Sequence, residues 1–138
     1  MNAPTIKCNA YKKQGLSIVV FGASGHLARV KIMPSLFRLF GHDKLPPFTF
    51  IYGYARTKMT SEEWRESLKR DLMSIRGANS NLVTEFLSKC VYVSGDSYRD
   101  VAAYSRLDKL IKEQEYQHCH MYQQFNRMFY LAVPPNVF

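Results

Sequence analysis

The sequence predicts an α/β fold, a parallel sheet with flanking helices, on three observations. Short apolar runs rich in β-branched and aromatic residues alternate with segments whose apolar residues recur at helical spacing. The first of these runs breaks at a glycine turn that opens a helix. Breakers stand at the later joints: Gly41, Pro46-Pro47, Gly77-Ala78-Asn79 and Pro134-Pro135. Alternation of this kind implies parallel strands joined by right-handed helical crossovers, with ligands held beyond the C-terminal strand ends.

Taken in order, residues 1–15 carry Lys7, Lys12 and Lys13 among few apolar residues and are expected to be a flexible arm. Residues 16–138 are then one domain. Leu16, Ile18, Val19, Val20 and Phe21 form a continuous run suited to a strand covered on both faces. From His26 onward Ile32, Met33, Leu36, Phe37 and Phe40 make a helical stripe, with Pro34 expected to kink or restart the helix and Gly41 to end it. Phe48 to Ala55 reads as a second strand, stopping at Arg56.

Thr60-Ser61-Glu62-Glu63 has the form of a capping box, and Trp64, Leu68, Leu72 and Ile75 follow on one face. A shorter helix is expected over Leu82 to Lys89, then a brief strand at Val91, Tyr92 and Val93 ending at Gly95. Val101, Tyr104, Leu107 and Ile111 mark another amphipathic helix, and Met128 to Val133 a fourth strand.

Size bounds the architecture: 138 residues with 46% hydrophobic content suit one globular domain. No run approaches membrane-spanning length, and the first 15 residues lack the apolar core of a signal peptide, so no membrane partner is expected. Cys8, Cys90 and Cys119 are odd in number and widely spaced, which fits a reducing, cytoplasmic setting better than a disulfide framework. His118-Cys119-His120 lacks a second ligand pair at a suitable spacing, so no metal is expected. The net charge of +8 favours anionic partners, but the bases are interspersed with acids and no nucleic-acid motif accompanies them. A few placed Arg and Lys residues would serve phosphorylated small molecules equally well, and a solvated basic surface is the commonest source of such a charge.

The chemistry concentrates in LSIVVFGASGHLA. Gly22 and Gly25 let the backbone turn sharply and let a pyrophosphate approach, while the unpaired N–H groups of the next helix favour negative charge. With Ala28 the spacing is G-x-x-G-x-x-A, a variant of the dinucleotide fingerprint, so the fold expected is Rossmann-like, with about four strands of the sheet present. Ser24 can donate to a phosphate or serve simply as a turn residue. At the end of the second strand an acid marks NAD binders and an arginine NADP binders. Here Tyr54-Ala55-Arg56-Thr57-Lys58 has no carboxylate; Arg56 offers a planar fork and Thr57 a hydroxyl, so NADP is the expected cofactor. Lys31, on the helix, either reaches an anionic ligand or is solvated.

GASGHLARVKIMPSLFRLF, FIYGYARTKMT, YVSGDSY and NRMFYLAVPPNVF, in this order and spacing, resemble the N-terminal coenzyme domain of the glucose-6-phosphate dehydrogenase family. The likeness covers residues 16–138. It implies NADP-dependent oxidation of glucose 6-phosphate to 6-phosphogluconolactone, the entry to the oxidative pentose phosphate pathway, by an oligomer when the chain is full length. It also implies that Gly22, Ala23, Ser24, Gly25, His26, Leu27, Ala28 and Arg29 form the coenzyme loop, with Lys31 beyond it. Arg56 is then the 2′-phosphate arginine, and Tyr92, Pro134 and Phe138 lie near the coenzyme.

The family's loop reads GASGDLAKKK, whereas this chain has His26, Arg29 and Val30 at three of those places. A histidine caps a helix start less well than an aspartate. The family's EKPFG-like and RIDHYLGKE-like segments, with the sugar-phosphate contacts and the catalytic histidine, do not occur in these residues, so none is expected to be catalytic. An alternative expectation is an inactive NADP-binding or subunit-binding relative.

Overall fold

A computed structural model describes residues 14–118 and 124–133. Cys8, Cys119, His120, Pro134 and Phe138, named above, lie outside the described residues. The elements run β1 (Gln14–Phe21), a π-helical turn (Ala28–Ile32) leading into α1 (Met33–Gly41), β2 (Phe48–Ala55), α2 (Ser61–Met73), α3 (Ser80–Leu87), β3 (Cys90–Ser94), α4 (Val101–His118) and β4 (Gln124–Leu131). The sheet has the order β3-β2-β1-β4, and every pair is parallel. Phe21 pairs with Tyr54 on one side and Leu131 on the other, and Tyr54 with Val93, so the four C-terminal ends form one rim.

This is the Rossmann-like arrangement of the sequence reading, with the chain reversing direction across the sheet between β1 and β4. Both faces of β1 are buried, which explains its unbroken apolar run. Ile18 and Val20 join Ile51, Met33, Phe37, Trp64, Leu68, Leu72 and Phe86 in one core layer; Val19 joins Tyr52, Tyr54, Val93, Ala103, Leu107 and Ile111 in the other. Cys90 lies fully inside, where burial pushes its thiol up to about 12. No helix among the described residues is long and apolar enough to cross a membrane.

Several boundaries differ from the sequence reading. α3 spans Ser80–Leu87 rather than Leu82 to Lys89, because Asn79 caps it by accepting from the Leu82 N–H, and β3 spans Cys90–Ser94 rather than Val91 to Val93. β1 starts at Gln14, inside the expected arm, and β4 spans Gln124–Leu131 rather than Met128 to Val133. A ladder is built from backbone groups, so Gln14 and Gly15 pair with Gln124 and Phe125 without any apolar side chain of their own. Gly15 is required there because the Phe125 ring occupies the space of a Cβ. α1 includes Gly41; the left-handed residue that follows is Asp43 (φ 57°), a type whose short polar side chain tolerates that region.

Pro34 restarts the helix as expected, standing in the first turn of α1. Its missing N–H and its ring oppose an ordinary α-turn to Val30, and the backbone widens instead, the Met33 N–H donating five residues back to the Ala28 carbonyl. The capping box forms as read: the Thr60 hydroxyl accepts from the Glu63 N–H at 3.1 Å and the Glu63 carboxylate from the Thr60 N–H at 2.9 Å. α4 continues past its apolar stripe because Glu115 accepts from Ser17 at 3.0 Å and pairs with Arg127 at 2.8 Å, tying the helix to β1 and β4.

Candidate functional site

Beyond Phe21 the chain turns at Gly22, whose φ of 82° suits only glycine without strain. A Cβ there would run into the Ala132 carbonyl at the end of β4. The N–H groups of Gly22 and Ala23 both donate to the Tyr54 carbonyl, at 2.8 and 3.2 Å, and the Ala132 N–H donates to Phe21 at 2.9 Å. Below the turn, the Trp64 indole N–H donates to the buried Ala23 carbonyl at 3.2 Å. The turn is thus clamped by β2, β4 and α2 together.

On its outer side the turn is open. The Gly25 N–H donates to the Gly22 carbonyl at 2.9 Å, and a Cβ on Gly25 would meet only that same oxygen, at 3.2 Å. The helix opens at His26, with the Gly25 carbonyl accepting from the Arg29 N–H at 3.2 Å. The first N–H groups of a helix have no intrahelical acceptor, and here they face the exposed surface of Ser24 to Leu27. Because Gly22 and Ala23 spend their N–H groups on Tyr54, the surface suited to an anion is narrower than the motif, running from Ser24 to Leu27.

The loop after β2 lies against this surface. The Ser24 hydroxyl donates to the Thr57 hydroxyl at 3.0 Å, and the Tyr92 hydroxyl donates to the Thr57 carbonyl at 2.6 Å. Tyr92 is buried, which pushes its phenol up, while a hydrogen bond with Ser24 opposes the shift. Arg56 is exposed, its guanidinium carbon 5.8 Å from the centre of the Tyr98 ring. Lys58 pairs with Asp96 at 2.8 Å in solvent.

The structure therefore gathers Gly22, Ser24, Gly25, His26 and, through Thr57, Arg56 at one rim. It places other predicted residues differently. Ala23 and Ala28 are buried and shape the turn from within. Tyr92 supports the Arg56 loop from below. Leu27 is exposed beside the turn, and Lys31 is exposed on the π-helical turn. Arg29 extends to Asp71 of α2, at 3.4 Å, rather than to the glycine turn, because that carboxylate is the nearer counter-charge. It lines a surface hollow of about 630 Å³ with Glu66, Lys69 and Arg70, in which acids and bases alternate and no residue of the glycine turn takes part.

Sequence reasoning passed over Trp64, Gly53 and Tyr98 as parts of the site. The sole tryptophan of the chain and a glycine inside an otherwise bulky strand were the available signals. A Cβ on Gly53 would lie 2.7 Å from both the Ala23 Cβ and the Trp64 ring, so the glycine is what lets the indole reach the turn.

Comparison with known proteins agrees with this geometry. The model of the glucose-6-phosphate dehydrogenase NAD binding domain matches residues 19–138. The chloroplastic glucose-6-phosphate 1-dehydrogenase of Nicotiana tabacum is 40% identical over 129 residues, covering 91% of this chain and 21% of the relative. The cytoplasmic glucose-6-phosphate 1-dehydrogenase 5 of Arabidopsis thaliana is 41% identical over 126 residues, 89% of this chain and 24% of the relative. A solved glucose-6-phosphate dehydrogenase in complex with its substrate glucose-6-phosphate superposes with a TM-score of 0.81 at 39% identity, covering 91% of this chain and 26% of that one. The chain thus spans about a fifth to a quarter of the length of the curated relatives it matches. With its parallel β3-β2-β1-β4 sheet and clamped glycine turn, the chain belongs to the glucose-6-phosphate dehydrogenase family and forms that family's NAD binding domain.

Proposed function

We propose that this chain holds NADP as the coenzyme half of a glucose-6-phosphate dehydrogenase. The observation that carries the reading is the bond from Ser24 to Thr57, which sets an open glycine turn beside a β2 end that bears Arg56 and no carboxylate. Bound there, NADP would supply the hydride acceptor for oxidation of glucose 6-phosphate to 6-phosphogluconolactone. The residues are compatible with it: a Cβ on Gly25 would meet only the Gly22 carbonyl, the helix opens on the exposed surface of Ser24 to Leu27, and an exposed Arg56 follows β2, the strand whose end lies near the ribose in this fold.

In this role Ser24 to Leu27 bind the pyrophosphate, Trp64 and Tyr54 keep the turn from shifting, and Arg56 selects the phosphorylated ribose. Abstraction of the sugar hydroxyl proton is assigned to none of the described residues. The three cysteines, odd in number and widely spaced, support a cytoplasmic setting; the relatives include both cytoplasmic and chloroplastic enzymes. Glucose 6-phosphate and a second copy of the full-length chain are the partners that the family membership supports.

Calorimetric titration with NADP and NAD tests the reading. NADP is expected to bind more tightly, and Arg56→Ala to weaken NADP about 10- to 100-fold, the loss of one charge-assisted phosphate contact of about 1.5–3 kcal/mol, while leaving NAD nearly unchanged. Equal affinity for both coenzymes in the parent would overturn it. Binding gained only in His26→Asp would favour the inactive, partner-binding relative, since an aspartate caps the helix start better than the histidine present.

A further inference from the structure

Tyr98 lies in the loop between β3 and α4, and that loop is fastened at every residue that could let it swing. The Gly95 N–H donates to the Ala55 carbonyl at 3.1 Å. Gly95 itself packs so closely on the Tyr54 hydroxyl that a Cβ has no room. The Tyr54 hydroxyl donates to the Ser97 carbonyl at 2.8 Å, and the Tyr104 hydroxyl to the Tyr98 carbonyl at 2.6 Å. Asp100 accepts from the N–H groups of Asp96, at 2.9 Å, and Ala103, at 3.0 Å.

The Tyr98 ring is therefore a fixed surface. It packs on Tyr54 with centroids 5.8 Å apart, and the Arg56 guanidinium carbon lies 5.8 Å from its centre. An exposed arginine on a strand end would otherwise sample many rotamers, and a cation over an aromatic face loses part of that freedom.

Resting on the NADP reading above, we propose that Tyr98 is a positioning residue for the 2′-phosphate: its ring holds the Arg56 guanidinium in place so that the fork is ready before the coenzyme arrives. The ring, not the hydroxyl, does this, and the effect is confined to ligands that carry the 2′-phosphate. Lys58, held by Asp96 across the same two loops, keeps β2's end and the Tyr98 loop in register.

The test titrates the chain with 2′,5′-ADP and with 5′-AMP, which differ only in that phosphate. Tyr98→Leu is expected to weaken 2′,5′-ADP about three- to tenfold and to leave 5′-AMP unchanged, and Tyr98→Phe to keep the parent's affinity for both. In an Arg56→Ala background Tyr98→Leu should cost nothing further. Circular dichroism and the melting temperature confirm that each variant is folded, and Tyr98→Phe decides the matter should Tyr98→Leu unfold. Unchanged 2′,5′-ADP affinity in Tyr98→Leu alongside a loss in Arg56→Ala overturns the proposal and leaves the NADP reading standing. An equal loss of both ligands, or a loss in Tyr98→Phe, also overturns it. A parent that binds 2′,5′-ADP no better than 5′-AMP overturns both.

Discussion

Gly53 shows how one missing side chain sets the position of a binding turn. The strand around it is Phe, Thr, Phe, Ile, Tyr, Tyr and Ala, and the gap it leaves is filled by the Trp64 ring and the Ala23 methyl. Gly53→Ala would place a methyl 2.7 Å from both, against a fully packed core. It is expected to destabilise the chain by about 1–3 kcal/mol and to break the indole bond to Ala23, weakening any ligand on the turn. Urea unfolding followed by tryptophan fluorescence checks the first effect, and calorimetry the second. At this scale the sequence displayed the turn glycines and Arg56 but not their supports. Gly53 and Trp64 act on Ala23, 30 and 41 positions away, and Tyr98 acts on Arg56, 42 positions away, and local spacing cannot display such pairs.

Among the elements, α2 was the most legible. Its Thr60 cap, Glu63 reply and Trp64, Leu68 and Leu72 stand in the structure as the pattern implies, while Ile75, read as the next member of the stripe, lies past the helix end at Met73 and still packs against the core. Thr60→Ala removes the acceptor of the Glu63 N–H and is expected to cost about 1 kcal/mol, read as a lower urea midpoint with an unchanged slope. Because α2 also carries Trp64, the same variant should weaken coenzyme binding modestly. The π-helical turn was less legible: Pro34 announces a disturbance, but whether the backbone kinks, breaks or widens depends on what packs around it. Ala28 and Met33, both fully buried, hold the widened turn against the sheet. The start of β4 was hidden for another reason, since Gln124 and Asn126 are bound into it by ladder partners on β1 rather than by apolar burial.

At the scale of the whole sheet, β4 is an edge strand among the described residues, and Met128, Phe129 and Leu131 on it are exposed. Parallel sheets of this kind are ordinarily covered on both faces, and a bare apolar edge strand is an association site. The 138-residue chain alone is expected to self-associate, and the pair Met128→Lys and Leu131→Glu to lower its light scattering at equal concentration with little change in melting temperature. Scattering that does not fall in the double variant would count against this.

The sequence by itself determined the α/β class, the four strands and their order along the chain, the glycine turn and the arginine at the end of β2. Those features are local: an apolar period, a breaker and a motif act through residues near in the chain. The tertiary structure decided that β1 lies at the centre, that Ser24 meets Thr57, that Gly22 and Ala23 spend their N–H groups on Tyr54, and that Tyr98 backs Arg56. Each of these joins residues 30 or more positions apart, and contacts at that separation exist only once the sheet has assembled and brought the strand ends to a common rim.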